Sequence, residues 1–206
     1  MTKGIFIVLD GLDGSGKSTL ANLLCSYITF KGTEYDVLIT REPTNGIYGK
    51  QIRAILANEK EPKSNAEKML DMFVMDREEH LKKQIIPFLK KNDGKKNIVI
   101  CDRYYYSTIA FQSTQGLDIE MVIGKNKKLI KPDIAFIMDI KPEIAMDRIK
   151  NRQKEKFESL EFMKKLRERF LELPKILKDK IKVINASRKR EEVFEEIKKD
   201  VDKLLV

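Results

Sequence analysis

The sequence predicts an α/β protein: a doubly wound parallel sheet of about five strands with helices on both faces. Three observations carry that expectation. Short apolar runs alternate along the chain with segments whose apolar residues recur at helical spacing. The runs are apolar throughout, as strands buried on both faces of a parallel sheet must be. A glycine-rich turn joins the first run to the first helical segment, at the strand end where such sheets hold their ligands.

Ile5-Phe6-Ile7-Val8-Leu9 is the first strand, and Leu20, Leu23, Leu24, Tyr27 and Ile28 mark the apolar face of the helix after it. Asp36-Val37-Leu38-Ile39-Thr40 is the second strand, and Asn97-Ile98-Val99-Ile100-Cys101 the third. Between these two, Leu70 to Arg77 reads as helix. Ile134-Ala135-Phe136-Ile137-Met138 is the fourth strand, and Ile181-Lys182-Val183-Ile184 a shorter fifth. No repeat, low-complexity tract or Pro/Gly-rich linker interrupts the series, so residues 1–206 are expected to form one domain.

Composition narrows the classes of function. No stretch approaches the ~20 apolar residues of a membrane-spanning helix. Met1-Thr2-Lys3-Gly4 runs directly into the first strand without the pattern of a secretory leader. Cys25 and Cys101, the two cysteines, each lie in an apolar run and read as buried thiols, so a cytoplasmic protein is expected. The net charge is +9, from 41 Lys+Arg against 32 Asp+Glu, but the lysines interleave with glutamates along helices, as at Glu195-Glu196 beside Lys198-Lys199. That is a solvated helix face, without the basic, aromatic-interleaved stripe of a nucleic-acid binder.

Gly11-Leu12-Asp13-Gly14-Ser15-Gly16-Lys17-Ser18 fits G-x-x-x-x-G-K-[ST] at every fixed position, between a buried strand and an amphipathic helix. The glycines let successive N–H groups turn inward as an anion cradle, and the helix N-terminus adds its positive end. Lys17 can reach the β- and γ-phosphates and the Ser18 hydroxyl can ligate Mg²⁺. The expected fold is therefore of the P-loop NTPase type, binding ATP or GTP through residues 11–19, Thr19 included. A guanine-reading Asn-Lys-x-Asp is missing: Asn126-Lys127-Lys128-Leu129 lacks the aspartate. The third strand ends in Asp102-Arg103-Tyr104, so Asp10, Asp102 and the loop should gather at the strand ends. There the carboxylates are candidate Mg²⁺ ligands and Arg103 a phosphate fork. Were a helix to begin at Arg103, then Arg103, Ser107 and Phe111 would share one face. Phe73 and Arg77, at i and i+4, project together. Spacing alone reads them most simply as a core ring and a solvated guanidinium, and equally allows a stacking ring beside a donor for a base.

Taken together, the blocks resemble thymidylate kinases. They are Asp10–Thr19, Arg41-Glu42-Pro43, Phe73-x-x-Asp76-Arg77-x-x-His80, Asp102-Arg103-Tyr104-x-x-Ser107-x-x-Ala110-Phe111-Gln112, Pro132-Asp133, and Pro142-Glu143-x-Ala145-x-x-Arg148. The resemblance implies transfer of the γ-phosphoryl of ATP to dTMP, with Mg²⁺, in a homodimer. It implies that Phe73 stacks on thymine and Arg77 bonds its O4, and that Arg53 and Arg103 hold the dTMP phosphate. Asp13 would lie near the sugar or metal, with Pro43, Ser107 and Phe111 also at the dTMP site and Arg148 at ATP. His80 is expected to be structural.

Residues 148–158 resemble the family's basic lid. Position 14 is Gly rather than the arginine some members carry there, so the catalytic charge should come from the lid. Arg152 is the first candidate and Lys156 the second, because lysine cannot bridge two oxygens as guanidinium does. Two other readings compete. A deoxynucleoside kinase would need a base at a sugar hydroxyl rather than arginines for a second phosphate. A non-catalytic nucleotide switch would have no use for a lid.

Overall fold

The computed structural model describes residues 4–58, 65–150 and 159–206. A five-stranded sheet is ordered β2-β3-β1-β4-β5. Its strands are β1 (Ile5–Gly11), β2 (Tyr35–Arg41), β3 (Lys96–Asp102), β4 (Ile134–Asp139) and β5 (Ile181–Asn185), and every pairing is parallel. Each lies over its predicted run. β1 is buried along its whole length, whereas the edge strands β2 and β5 are only half-buried.

β1 sits between β3 and β4, with Leu9 opposite Asp102 and Gly11 opposite Met138. The chain must leave β1 in one direction to build β2 and β3 and later in the other to build β4 and β5. A crevice therefore opens beyond the carboxyl ends of these central strands.

Helices fill both sides. α1 (Lys17–Lys31) packs on β2 and β3 and on α9 (Arg190–Leu205), which also lies against β5. α5 (Tyr105–Thr114) packs on β1 and on α8 (Leu160–Ile176), which covers β4 and β5. α2 (Ile47–Asn58) and α3 (Ala66–His80) pair with each other beside the crevice. α3 runs on through a π-helical turn (Leu81–Ile85) into α4 (Ile86–Leu89); Pro87, without an N–H, cannot continue a regular ladder there. α6 (Ile119–Asn126) is capped by Asp118, whose side chain accepts from Met121 N at 2.8 Å. α7 (Pro142–Ile149) starts on a proline, which suits a first helical turn.

Both cysteines are free thiols; Cys101 is buried as expected, but Cys25, on α1, is only half-buried. Among the described residues, no helix is long and apolar enough to cross a membrane.

Candidate active site

An open cleft of ≈ 1410 Å³ spans the strand ends, lined at one end by residues 11–20 and at the other by Phe73, Arg77, Phe111 and Gln112. Gly14 has φ +80, and a Cβ there would stand 2.4 Å from Ala145 O. Only glycine lets the loop lie this close to α7. α1 begins at Lys17, so the helix N-terminus points into the cleft as expected. Lys17 Nζ donates to Leu12 O at 2.8 Å and Gly11 O at 3.1 Å. Burial, with help from the nearby Arg103 charge, lowers its pKa to about 8. Arg148 Nη1 donates to Ala186 O at 3.1 Å and reaches Gly14 O at 3.4 Å, tying the loop to the β5–α9 connection.

Asp102, at the end of β3, accepts from the Ser18 hydroxyl through Oδ2, while its buried Oδ1 has no hydrogen-bond partner among the described residues. An orphaned carboxylate oxygen beside a hydroxyl fits a hard divalent cation and its waters. Asp10, also expected at the metal, is occupied differently. Its Oδ2 accepts from Tyr104 N at 3.0 Å and Ser107 N at 2.9 Å, and its Oδ1 from Gly11 N and the Ser107 hydroxyl. It holds the start of α5, and burial raises its pKa above the usual carboxylate value.

Arg103 precedes α5 rather than forming part of it, with φ +73, so it does not share a helix face with Ser107 and Phe111. Asp10 anchors α5 two residues later than spacing suggested. The left-handed backbone turns the guanidinium back instead: Nη1 donates to Ser107 Oγ at 2.9 Å and Nη2 to Asp13 Oδ1 at 2.5 Å. Arg103, then Lys17 and Arg41, hold the Asp13 carboxyl down at about 2 against the effect of burial. Burial opposes the charge on Arg103, but Asp13, Asp10 and Asp102 outweigh it and keep its pKa above the ordinary value. The result is a fixed cation in the cleft wall, beside the phosphate loop.

At the far end Phe73 packs on Ile52, Met69 and Met72 and also lines the cleft. The solvated reading of Arg77 is overturned: it is 1% exposed. Nε donates to Glu42 Oε2 at 2.7 Å, Nη1 to Asn126 Oδ1 at 2.9 Å and Nη2 to Thr108 Oγ1 at 3.0 Å. Its guanidinium also stands 5.3 Å from the Tyr104 ring centre. Among the described residues these acceptors take three of the five N–H groups a guanidinium carries. Arg53 donates to Pro43 O at 2.9 Å and Thr44 O at 2.7 Å, holding the loop after β2 at the cleft wall. Phe111 lines the wall from α5, edge-on to Phe162 at 5.3 Å.

Arg41 and Gln112, quoted above only as motif residues, line the cleft; sequence reasoning missed Thr108, which also lines it, and Asn126, which holds Arg77. Gln112 Oε1 is buried without a partner among the described residues. Thr108 and Gln112 are one helical turn apart, a signal that was available; Asn126 had none, because its contact spans 49 residues. The lid candidates Arg152 and Lys156 lie outside the described residues.

A parallel sheet ordered 2-3-1-4-5 with this loop and lysine at its strand ends, and with Arg103 and the buried Arg77 lining the same cleft, defines a nucleotide-binding protein of the P-loop NTPase class. The family model described as thymidylate kinase matches residues 9–197. A probable thymidylate kinase of Thermococcus kodakarensis is 40% identical, covering 98% of both chains. One of Archaeoglobus fulgidus is 34% identical over 98% of this chain and 96% of its own. The thymidylate kinase of Clostridium novyi is 36% identical over 96% and 98%. The chain belongs to the thymidylate kinase family.

Proposed function

We propose that the protein is a cytoplasmic thymidylate kinase that moves the γ-phosphoryl of ATP onto dTMP, giving dTDP and ADP. The observation that carries this is one cleft lined by Lys17, Arg103 and the buried Arg77. Phosphoryl transfer asks for two anions held in line and for positive charge where charge builds, rather than for covalent help.

Residues 11–19 cradle the donor phosphates, Lys17 neutralises the β/γ oxygens and Arg148 braces the loop from α7. Mg²⁺ fits Ser18 and the free oxygen of Asp102, and when bound it would supply charge neutralisation at the transferring group. Asp10 acts by holding Ser107 and α5 in place. Arg103, with Arg53, grips the dTMP phosphate, oriented by Asp13 and Ser107. Phe73 stacks on thymine, Arg77 donates to its O4, and Pro43 and Phe111 enclose base and sugar. Arg152, or failing it Lys156, closes over the phosphates and excludes water.

The basic centre disfavours a deoxynucleoside kinase, whose acceptor brings no second phosphate. A homodimer and a single domain over residues 1–206 complete the reading, and sedimentation of the purified protein checks the first.

The test supplies ATP, Mg²⁺ and one acceptor at a time: dTMP, dUMP, dCMP, UMP, CMP or thymidine. Fast dTDP formation, lost in Lys17→Ala, supports the assignment. Transfer to thymidine or to another monophosphate, with none to dTMP, would overturn it.

A further inference from the structure

Behind Arg77 lies a line of polar side chains to which the reaction gives no task. Glu42 directly follows β2 and is 2% exposed. Its oxygens are divided: Oε2 accepts from Arg77 Nε at 2.7 Å and Oε1 from His80 Nδ1 at 3.0 Å. A carboxylate only accepts, so Nδ1 carries the hydrogen, and Nε2 is left for a second partner. There Thr40 Oγ1 stands 2.6 Å away, and it also reaches Gln84 Oε1 at 3.4 Å. Arg77 and His80 lie three residues apart on α3, which is why both reach one carboxylate.

Glu42, His80 and Cys101 bring their ligand atoms within 4.8 Å of one another, a spacing that would suit a metal ion. The chemistry does not. Both Glu42 oxygens are already taken by N–H donors, and Arg77 adds a permanent positive charge at that corner. Burial holds the Cys101 thiol well above its usual range, and its S–H donates to Arg103 O at 3.0 Å. The cluster is a hydrogen-bond relay.

We propose that His80 is a positioning residue for pyrimidine recognition: through Glu42 it sets the orientation of Arg77, and so the choice of base at that end of the cleft. The inference rests on the thymidylate kinase reading. A free carboxylate would take a guanidinium in a fork, two oxygens against two N–H groups. By holding Oε1, His80 leaves Glu42 one oxygen for Arg77, and the contact is made at Nε. Nη1 and Nη2 are thereby kept for Asn126 and for Thr108 at the cleft wall. Glu42, His80, Arg77, Asn126 and Thr108 are all buried, so water cannot repair a wrong arrangement and one geometry is specified. Without His80, Arg77 is free to rotate into the fork and withdraw its outer edge from the base.

The experiment is steady-state kinetics with Mg²⁺ on wild type, His80→Ala, His80→Gln and Thr40→Val: dTMP or dCMP is varied at saturating ATP, and ATP is varied at saturating dTMP. A 4-amino pyrimidine presents N–H groups to the guanidinium where dTMP presents an oxygen, so their ratio reports how Arg77 is aimed. For His80→Ala, KM for dTMP is expected to rise about tenfold, and the preference for dTMP over dCMP in kcat/KM to fall about tenfold. Its kcat and KM for ATP should stay within about twofold of wild type. His80→Gln, with one amide donor and one acceptor, should recover most of both. If His80→Ala does not fold, Thr40→Val tests the relay from its outer end, with KM for dTMP alone rising about threefold. An unchanged dTMP/dCMP preference, or KM for ATP and dTMP rising together, overturns the positioning role. A wild type that makes no dTDP would instead sink the function on which it rests.

Discussion

Removing the guanidinium of Arg77 while keeping its stem, as in Arg77→Met, tests whether this end of the cleft is a buried electrostatic unit. Arg77 is 1% and Glu42 2% exposed, and their ion pair is 2.7 Å long. Breaking such a pair from one side costs about 3–5 kcal/mol, because the surviving charge stays buried. Asn126 and Thr108 also lose a donor each, at about 1 kcal/mol apiece. Two effects work the other way: His80 still donates to Glu42 Oε1, and the methionine packs against Tyr104. We expect a net loss of about 3–4 kcal/mol in urea unfolding at neutral pH, followed by circular dichroism. In thermal melts that corresponds to roughly 6–16 °C for a domain of this size. Adding Glu42→Gln should return about 1–2 kcal/mol, because a neutral amide is less costly to strand than a carboxylate. A loss below about 1 kcal/mol, or a double variant no more stable than Arg77→Met, would refute the reasoning.

Three further outcomes are expected. Lys17, with its pKa lowered to about 8, loses its charge above that pH, so kcat/KM for ATP should be level below pH 8 and fall about tenfold per unit above it. The unfolded chain keeps that proton to about 10.5, so Lys17 makes stability rise with pH between 8 and 10.5; denaturation across the window checks the sign. Gly14→Ala must move a Cβ away from Ala145 O, 2.4 Å off, at φ +80, and should lose about 1–3 kcal/mol in melts and weaken ATP binding. Gly16→Ala, with open space around its Cβ, should lose less despite its positive φ. In the lid, Arg152→Ala should lower kcat by about a thousandfold and Lys156→Ala by roughly tenfold; the reverse order would make Lys156 the source of the catalytic charge.

The donor half of the site was legible because its chemistry is local. A strand, a glycine loop and a helix start are consecutive, so spacing and residue type nearly define how the loop N–H groups and Lys17 are placed. Strand positions were legible for a similar reason: burial on both faces leaves each run apolar from end to end.

The acceptor half was legible only as a list of residues. Arg77 looked solvated because nothing near it in sequence pairs with it; its partners Glu42, Thr108 and Asn126 stand 35, 31 and 49 positions away. Nothing in the spacing showed that the start of α5 hangs its N–H groups on Asp10 Oδ2, while Gly11 N and the Ser107 hydroxyl take Oδ1. Arg103 looked like part of a helix that in fact begins two residues later, at Tyr105.

By itself, then, the sequence determined the α/β class, the strand positions, the phosphate loop and the family, since each depends on periodicity or on contiguous residues. Tertiary structure alone decided which carboxylate is left for a cation, how Arg103 faces Asp13, and that Glu42, His80 and Arg77 form one buried unit. A low-dielectric interior rewards pairing of polar groups regardless of their distance along the chain, and only the fold says which of them meet.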